Sequence, residues 1–473
     1  MNPEPATTRA AARRFIAPLA LAQFLCSYAG SNMNVMISDM SEDLDTTVQG
    51  IQVAITLFLL VMAALMIPGS KLTDRFGRKR LFTAGLAVHG VGALVAAAAP
   101  NLGVLVVGYS ILGGVGTALL IPPVYILTTL HFDDVRDRAW AFGVISALGG
   151  VGAAMGPLLG GVITSAIHWR AALVFQAVVI VLILFLARGI SDPLPPDPTR
   201  SFDVGGAALS GLGLIAIVMG ILAVDDILAL SVALLLTGAA LLAWFLFRSS
   251  RLERRGREPL VSPSLFRNRT SNRGMLTQVL QWMLLMGTSF VVAAYLQVVR
   301  GYDAIETGVI FTGITVGILV SSLAAGRLVH RFAQRTLIAA GFVLVAVGVA
   351  TLIWLVGVLP GGWAFIPGLL LIGLGLGFGL TPSVNIVQSA FPEERQGEIS
   401  GVSRAVSNLG SSLGTAVAGT ILVAGLVDPS RSYALAMAVL GVLALAGVGL
   451  GLLLPKDEPG ERAETERAGP SAR

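Results

Sequence analysis

The stretch GVGAAMGPLLGG, residues Gly150–Gly161, places five glycines and one proline in the middle of a long apolar run. Both residue types disfavour a helix in water. In a membrane, however, small residues let helix backbones approach closely. Gly152, Gly156 and Gly160 recur every four residues and so share one helix face. The stretch therefore indicates a transmembrane helix that packs tightly on a neighbour and that Pro157 bends.

The whole chain has the composition of a membrane protein. Of its 473 residues, 55% are hydrophobic and 12% are charged, and the mean hydropathy is +0.82, whereas soluble domains carry about 25% charged residues. Runs of about 20 apolar residues cross a bilayer as helices, and no period-two alternation suggests strands. The sequence predicts an all-α integral membrane protein with fourteen transmembrane helices. They begin near Phe15, Ile51, Leu81, Leu102, Ala139, Ala171, Val204, Ile227, Gly274, Thr307, Leu337, Trp363, Ile399 and Ser432.

The positive charges predict the orientation of the chain. If both termini are cytoplasmic and the helices alternate in direction, all but four of the 32 Lys and Arg residues lie on the cytoplasmic side. The exceptions are Arg170, Arg300, Arg431 and, within a helix, Arg404. The basic balance therefore indicates contact with anionic lipid headgroups and not with nucleic acid. Together with the Ala- and Gly-rich composition, it predicts a bacterial inner membrane protein.

Other function classes find little support in the sequence. Cys26 is the single cysteine, and no Cys/His cluster indicates a metal. GGVGTAL at residues 113–119 lacks the Lys-Ser/Thr and the preceding strand of a phosphate loop. We therefore expect no cofactor and no enzymatic activity.

Two parts of the chain resemble each other. SKLTDRFGRKR (Ser70–Arg80) is similar to GRLVHRFAQR (Gly326–Arg335), and the pair Gly152 and Gly156 recurs as Gly410 and Gly414 at almost the same offset. Membrane transporters are often built from such repeats, which rock around a central site. The sequence predicts a cytoplasmic tail (1–14), an N-terminal six-helix bundle (15–190), a cytoplasmic linker (191–203), two inserted helices (204–247), a basic cytoplasmic linker (248–273), a C-terminal six-helix bundle (274–454) and a cytoplasmic tail (455–473).

These motifs resemble those of the major facilitator superfamily, and of its fourteen-helix drug:proton antiporter branch in particular. Ser70–Arg80 is similar to the family's loop motif, and residues 152–161 are similar to its antiporter motif. The resemblance implies that the loop latches one conformation through Asp74, Arg75, Gly77, Arg78 and Lys79, with Asp74 beside a helix that starts near Glu398. The glycine spacing and the proline predict a close, bent contact at the interface of the two halves. That contact is either static packing or, as the resemblance implies, a hinge or seal of the alternating cycle, formed by Gly152, Gly156, Pro157, Gly160 and Gly161.

Polar residues inside apolar runs are the candidate substrate site, because such residues are costly in a membrane. In the superfamily, the equivalents of helices 1, 4, 9 and 12 line the central cavity. Hydrogen bonding between helices is the competing explanation for each amide, and Arg404 could also pair with a carbonyl or an acid. The candidates are Asn32, Asn34, Gln278, Gln281, Trp282, Asn385, Gln388 and Arg404.

The chain departs from the branch at two positions tied to proton coupling. Ala29 stands where a helix-1 Asp is usual, and Ser110 stands where a helix-4 Arg is frequent. If protons are used, Asp39 or Glu398 would have to carry them, although both lie close to the membrane surfaces, and Asp39 is the candidate coupling residue.

The sequence thus favours a secondary active transporter, active as a monomer, that exports an amphipathic organic compound by alternating access, with protons as the candidate counter-ion. An importer or uniporter of an organic anion that uses Arg404 is the alternative, and a non-transporting receptor on the same scaffold is a third reading.

Overall fold

The computed structural model describes residues 6–132, 135–192, 196, 202–223, 228–328, 332–358, 361–391, 396–423 and 429–455, and every regular element in these ranges is helical. The helices are α1 (Ala6–Asn32), α2 (Ile37–Asp43), α3 (Val48–Phe76), α4 (Arg78–Ala97), α5 (Leu102–Leu105), α6 (Gly114–His131), α7 (Val135–Ala166), α8 (Trp169–Leu186), α9 (Val204–Leu222), α10 (Leu228–Arg254), α11 (Arg269–Ala294), α12 (Ala304–Leu328), α13 (Gln334–Val358), α14 (Ile366–Ser389), α15 (Gln396–Val423) and α16 (Pro429–Leu452).

Short tighter or wider turns join or extend some of these helices. The 3₁₀ segments are Met33–Met36, Ala187–Gly189, Pro263–Arg267 and Gly362–Phe365, and the π-helical segments are Val106–Gly113 and Tyr295–Val299. Polar residues begin several helices by accepting backbone N–H groups that would otherwise lack partners. Thr47 caps α3, Asn101 caps α5, Asp203 caps α9 and Asn268 caps α11.

In the described ranges, 11 helices are long and apolar enough to cross a membrane. The prediction of an all-helical, multi-pass membrane protein is therefore confirmed. We call the end of the molecule that carries the α3–α4 loop, Ser70–Arg80, the basic end. The opposite end, where residues 37–50 lie, is the distal end.

The first and last thirds of the chain use glycines in matching contacts. A Cβ on Gly152 of α7 would lie 2.2 Å from the carbonyl oxygen of Phe24 on α1. A Cβ on Gly410 of α15 would lie 2.4 Å from the carbonyl oxygen of Val279 on α11. Such distances exclude any side chain, so both helix pairs meet backbone to backbone. The equivalence supports the internal repeat that the motifs indicate.

The two predicted halves meet along two lines, α3 against α15 and α7 against α12. Helix α9 packs on α10 and also contacts both α3 and α15. Leu60 of α3, Val218 and Leu222 of α9 and Ala416 of α15 form one buried cluster. Helix α9 therefore covers the α3–α15 line from the side.

Candidate functional site

At the distal end, Gln297 joins the two halves. Its Nε2 donates to the carbonyl oxygen of Asn34 at 2.7 Å, and its Oε1 accepts from the backbone N–H of Ser38 at 3.1 Å. Gln297 is 4% exposed. Because a buried amide is stable only when its donors and acceptors are paired, these bonds hold the distal end of α1 against that of α11.

A second amide joins α3 to α15. The Nε2 of Gln52, which is fully buried, lies 3.3 Å from the carbonyl oxygen of Thr415 and 3.2 Å from that of Ala416. One turn further along, Ser412 donates to the carbonyl oxygen of Thr56 at 3.2 Å. This line of contact is therefore polar as well as close-packed.

The third distal contact joins α7 to α12. A Cβ on Gly161 would lie 2.2 Å from the carbonyl oxygen of Ala304, and one on Gly308 would lie 2.7 Å from that of Pro157. Gly161 and Pro157 of the antiporter motif therefore lie against α12, in the other predicted half.

For the other three motif glycines, the prediction of a contact between the two halves is wrong. Gly152 faces the backbone of Phe24, Gly156 faces Ser31 and Tyr28, and Gly160 faces Asn32. All of these partners lie on α1, in the same predicted half. Residues spaced by four form one face, and that face packs on α1, whereas Pro157 and Gly161 belong to the adjoining face.

At the basic end there is open space along α1 and α7. A cavity of about 450 Å³ is lined by Ala17, Leu21, Val144 and Leu148, with Arg13 as its charged residue. Volumes of about 300–1,000 Å³ accommodate drug-sized ligands. The structure is therefore closed between the halves at the distal end, and at the basic end it carries a cavity bordered by α1 and α7.

Arg404 connects the two halves deeper in the molecule. Its guanidinium contacts the hydroxyl of Tyr125 on α6 and lies 4.6 Å from the centre of the Tyr125 ring. The Tyr125 hydroxyl donates to Oε1 of Gln23 on α1 at 3.2 Å. Arg404 and Tyr125 are both partly exposed, so this polar group is the candidate for substrate contact.

The amides of α11 occupy two kinds of position. The Nε2 of Gln278 donates to the carbonyl oxygen of Ser383 at 3.2 Å, and its Oε1 accepts from Ser403 at 2.7 Å. These bonds join α11 to α14 and α15, which is the interhelical explanation. Gln281 accepts from the Ser383 hydroxyl at 2.9 Å, and its buried Nε2 has no partner among the described residues.

The remaining candidates differ in exposure. Asn32 is fully buried, and both polar atoms of its side chain lack a partner in the described part of the chain. Asn34 takes part through its backbone oxygen in the Gln297 contact. Asn385 is exposed, and Gln388 and Trp282 are partly buried. These positions are compatible with the predicted site, which stays a prediction.

The loop motif is held by a residue that the sequence did not indicate. Oδ2 of Asp192 accepts from the backbone N–H groups of Arg78 at 2.6 Å and Lys79 at 3.3 Å, which places a carboxylate at the start of α4. A Cβ on Gly77, where φ is +97°, would lie 3.2 Å from the same oxygen. The positive φ favours glycine there.

The side chain of Asp74 lies outside the described residues, and the predicted latch through it stays a prediction. Glu398, near which its partner helix was expected to start, accepts from the backbone N–H of Ser262 at 2.9 Å. Gly401, the next turn of α15, approaches Ser70, whose Oγ would lie 3.8 Å from a Cβ on Gly401. The start of α15 therefore lies close to the end of α3.

Asp39 lies on α2 at the distal surface and lines a second cavity of about 380 Å³ with Glu42, Asp43 and His168. Partial loss of hydration raises the pKa of Asp39 above its ordinary value, with smaller contributions from the negative charges of Glu42 and Asp303. Asp303 begins α12, in the other predicted half.

Beside it, Asp43 is bound by the guanidinium of Arg170 and by Nε1 of Trp169 at 3.0 Å. The hydrogen bond from Arg170 lowers the pKa of Asp43. Arg170 also donates to the carbonyl oxygen of Ala99 at 2.8 Å. Together these bonds fix α2 to the starts of α8 and α5.

Sequence reasoning missed Gln52, Gln297, Tyr125 as a contact of Arg404, and Asp192. The signal for the two glutamines was present, since each is an amide in an apolar run. Their partners include backbone carbonyl and N–H groups of the other half, which have no sequence signature.

Comparisons with known proteins agree with this arrangement. A family model described as Major Facilitator Superfamily matches residues 19–415. The chain is 31% identical over 405 residues to the puromycin resistance protein of Streptomyces alboniger, covering 85% of this chain and 80% of that one. It is 29% identical over 425 residues to the multidrug efflux pump LfrA of Mycolicibacterium smegmatis, covering 89% and 83%.

Solved structures show the fold alone. A peptide transporter POT in complex with sulfate superposes with a TM-score of 0.68 at 15% identity, covering 96% of this chain and 95% of that one. The nucleoside transporter NupG superposes with a TM-score of 0.63 at 13% identity, covering 93% and 100%.

Proposed function

The chain belongs to the Major Facilitator Superfamily, and we propose that it exports amphipathic organic compounds, including drugs, as a member of the fourteen-helix antiporter branch. It is a transporter and not an enzyme. It resides in the inner membrane of a bacterium as a multi-pass protein.

One observation carries the mechanism. The halves are joined at the distal end by Gln297, Gln52 and Gly161, while a cavity lies along α1 and α7 at the basic end. This is the arrangement expected of a transporter that alternates between two openings. In the proposal, the basic end is cytoplasmic, both termini are cytoplasmic, and the compound enters beside α1 and α7 and leaves when the distal contacts separate.

The proposal divides the monomer into bundles 15–190 and 274–454, with residues 204–247 as two inserted helices. This division follows the motif repeat, and the matching contacts of Gly152 and Gly410 support it. The loop motif positions the bundles at the cytoplasmic face, where its bases meet anionic headgroups.

Asp39 is the proposed site of proton linkage. Its protonation state acts on the distal contact between the halves, and Asp39 does not contact the substrate in this proposal. The closed distal end brings its carboxyl towards that of Asp303, with Glu42 and His168 nearby, and its pKa is raised there. The protonated, neutral form of Asp39 therefore favours closure of the distal end. A rise in external pH deprotonates Asp39 and favours opening of that end. Asp39→Asn should remove the pH response of the distal contact. A response that persists in the variant rejects this role.

The export function is tested in a bacterial host that lacks its own drug pumps. Expression should raise the inhibitory concentrations of some compounds in a panel of cationic, neutral and anionic amphipathic drugs that includes puromycin and ethidium, and should lower their accumulation. Wild-type membrane levels with no change for any compound would reject export.

A reversible crosslink tests alternation in the same cells. In a Cys26→Ser background, Ser38→Cys with Gln297→Cys should form a disulfide across the distal contact and stop export, and a reducing agent should restore it. Each single cysteine is the control. Export that continues in the fully crosslinked protein contradicts the proposed exit route.

A further inference from the structure

The apolar interiors of the membrane-spanning helices carry no negative charge. No Asp or Glu occurs in the stretches 5–38, 46–73, 75–132, 138–191, 204–224, 259–302, 307–392 and 399–427. These stretches supply the apolar parts of the long helices. A cationic substrate would therefore meet no carboxylate of this chain at the depth of the membrane, where an unpaired charge is costly.

The same region does carry a positive charge. Arg404 lies two turns into α15, and its guanidinium contacts Tyr125 by hydrogen bond and by cation–π interaction. The Tyr125 hydroxyl in turn bonds Gln23. Tyrosine and glutamine are neutral, so this group of side chains keeps its net positive charge, which an anionic ligand would neutralise.

The cavity at the basic end has the same character. It lies along α1, the helix that carries Gln23, from Arg13 to Leu21, and its walls include Ala17, Leu21 and Leu148. Arg13 is its charged residue. The apolar wall of this cavity with its cation Arg13, together with the second cation Arg404 deeper in the molecule, fits a compound with an apolar body and a negative group.

We propose that the central site selects amphipathic organic anions and that the inside-negative membrane potential drives their export. The inference rests on the proposed export function and names its substrate class and energy source. Moving one net negative charge outward across 100 mV is favourable by about 2.3 kcal/mol, which corresponds to a concentration ratio of roughly 50. No carboxylate in the membrane is needed for this cycle.

Two xanthene dyes that differ in charge provide the test. Proteoliposomes are loaded with carboxyfluorescein, an anion, or with rhodamine 123, a cation, at equal pH on both sides. Potassium and valinomycin then set the potential. Efflux of carboxyfluorescein should be faster with the interior negative than with the interior positive, and rhodamine 123 should not be carried.

The variants separate the role of Arg404 from a general effect of charge. Arg404→Gln should lower carboxyfluorescein efflux at least tenfold, and Arg404→Lys should retain part of it. Arg431→Gln, which removes an exposed arginine of α16, should leave efflux unchanged. Thermal unfolding of the purified variants shows which of them are folded, and binding of carboxyfluorescein is measured directly on any variant that does not reconstitute.

Each other outcome rejects the inference. If rhodamine 123 is carried and carboxyfluorescein is not, the substrate class is wrong while export stands. If carboxyfluorescein efflux follows a pH gradient and ignores the potential, the energy source is wrong. If neither dye is carried, the anion proposal fails, and the drug-resistance assay above decides the export function independently.

Discussion

Two glycine-to-alanine substitutions on α7 should have the same steric cost but different functional consequences. An added Cβ would lie 2.2 Å from the carbonyl oxygen of Phe24 in Gly152→Ala, and 2.2 Å from that of Ala304 in Gly161→Ala. The carbonyl carbons lie at 2.9 and 2.8 Å. The first clash lies within one half, and the second lies between the halves.

The expected magnitudes follow from this difference. Inserting a methyl group into a packed contact costs about 1–3 kcal/mol. Gly152→Ala adds that cost to every conformation in which α1 and α7 stay together, so the free energy of unfolding falls and the conformational equilibrium does not move. Gly161→Ala adds it only to the state closed at the distal end. That shifts the equilibrium towards the distal-open state by roughly 5- to 150-fold.

Spin labels measure the shift. Ile167 and Trp363 are exposed at the distal end, one in each half, and Ile167→Cys with Trp363→Cys in a Cys26→Ser background accept the labels. The distances between the two labels, measured by double electron–electron resonance, should lengthen in Gly161→Ala. In Gly152→Ala they should stay as in the parent protein. Equal distance distributions in both variants, or a shift only in Gly152→Ala, would refute the assignment of the two glycine faces.

Three further outcomes are expected. Gln297→Leu removes two hydrogen bonds across the distal contact, together about 2 kcal/mol, and should lengthen the same distances through a shift of roughly 30-fold, whereas an unchanged distribution argues against the amide. Asp192→Ala removes the carboxylate that caps α4 beside Arg78, which costs about 1–2 kcal/mol; the melting temperature should fall while the distal distances stay constant. Asp43 has a lowered pKa, so its stabilising contribution is present above the unfolded pKa of about 3.9 and is lost as pH falls through the lower folded value. Arg170→Gln should flatten that acid loss of melting temperature, and an identical pH profile in the variant would contradict the pairing.

Much of the fold could be predicted because membrane helices follow from length and hydropathy alone. The runs at Ile51, Thr307 and Leu337 each lie within one long helix, and the internal repeat appears in the matching contacts of Gly152 and Gly410. The irregular segments that interrupt or extend the helices could not be predicted from the sequence. The π-helical segment at Val106–Gly113 and the 3₁₀ turn at Met33–Met36 lie in apolar sequence with no Pro at either place.

The site was predicted less completely, for a physical reason. Spacing assigns residues to a helix face, but it does not say which neighbour that face meets. Gly160 and Gly161 are adjacent, yet they contact α1 and α12 respectively. Arg404 was found because a charge in an apolar run is conspicuous, whereas its contact with Tyr125 depends on how two distant helices are placed.

Helix α9 makes the two seams between the halves differ in their exposure to the lipid. It covers the seam between α3 and α15, while no described part of α9 or α10 lies over the seam between α7 and α12. A compound dissolved in the bilayer therefore meets α9 before it reaches the α3–α15 seam, whereas the α7–α12 seam lacks that cover among the described helices. Hydrophobic inhibitors that enter from the membrane should compete more strongly at the α7–α12 seam, and lipids retained during purification should be enriched there.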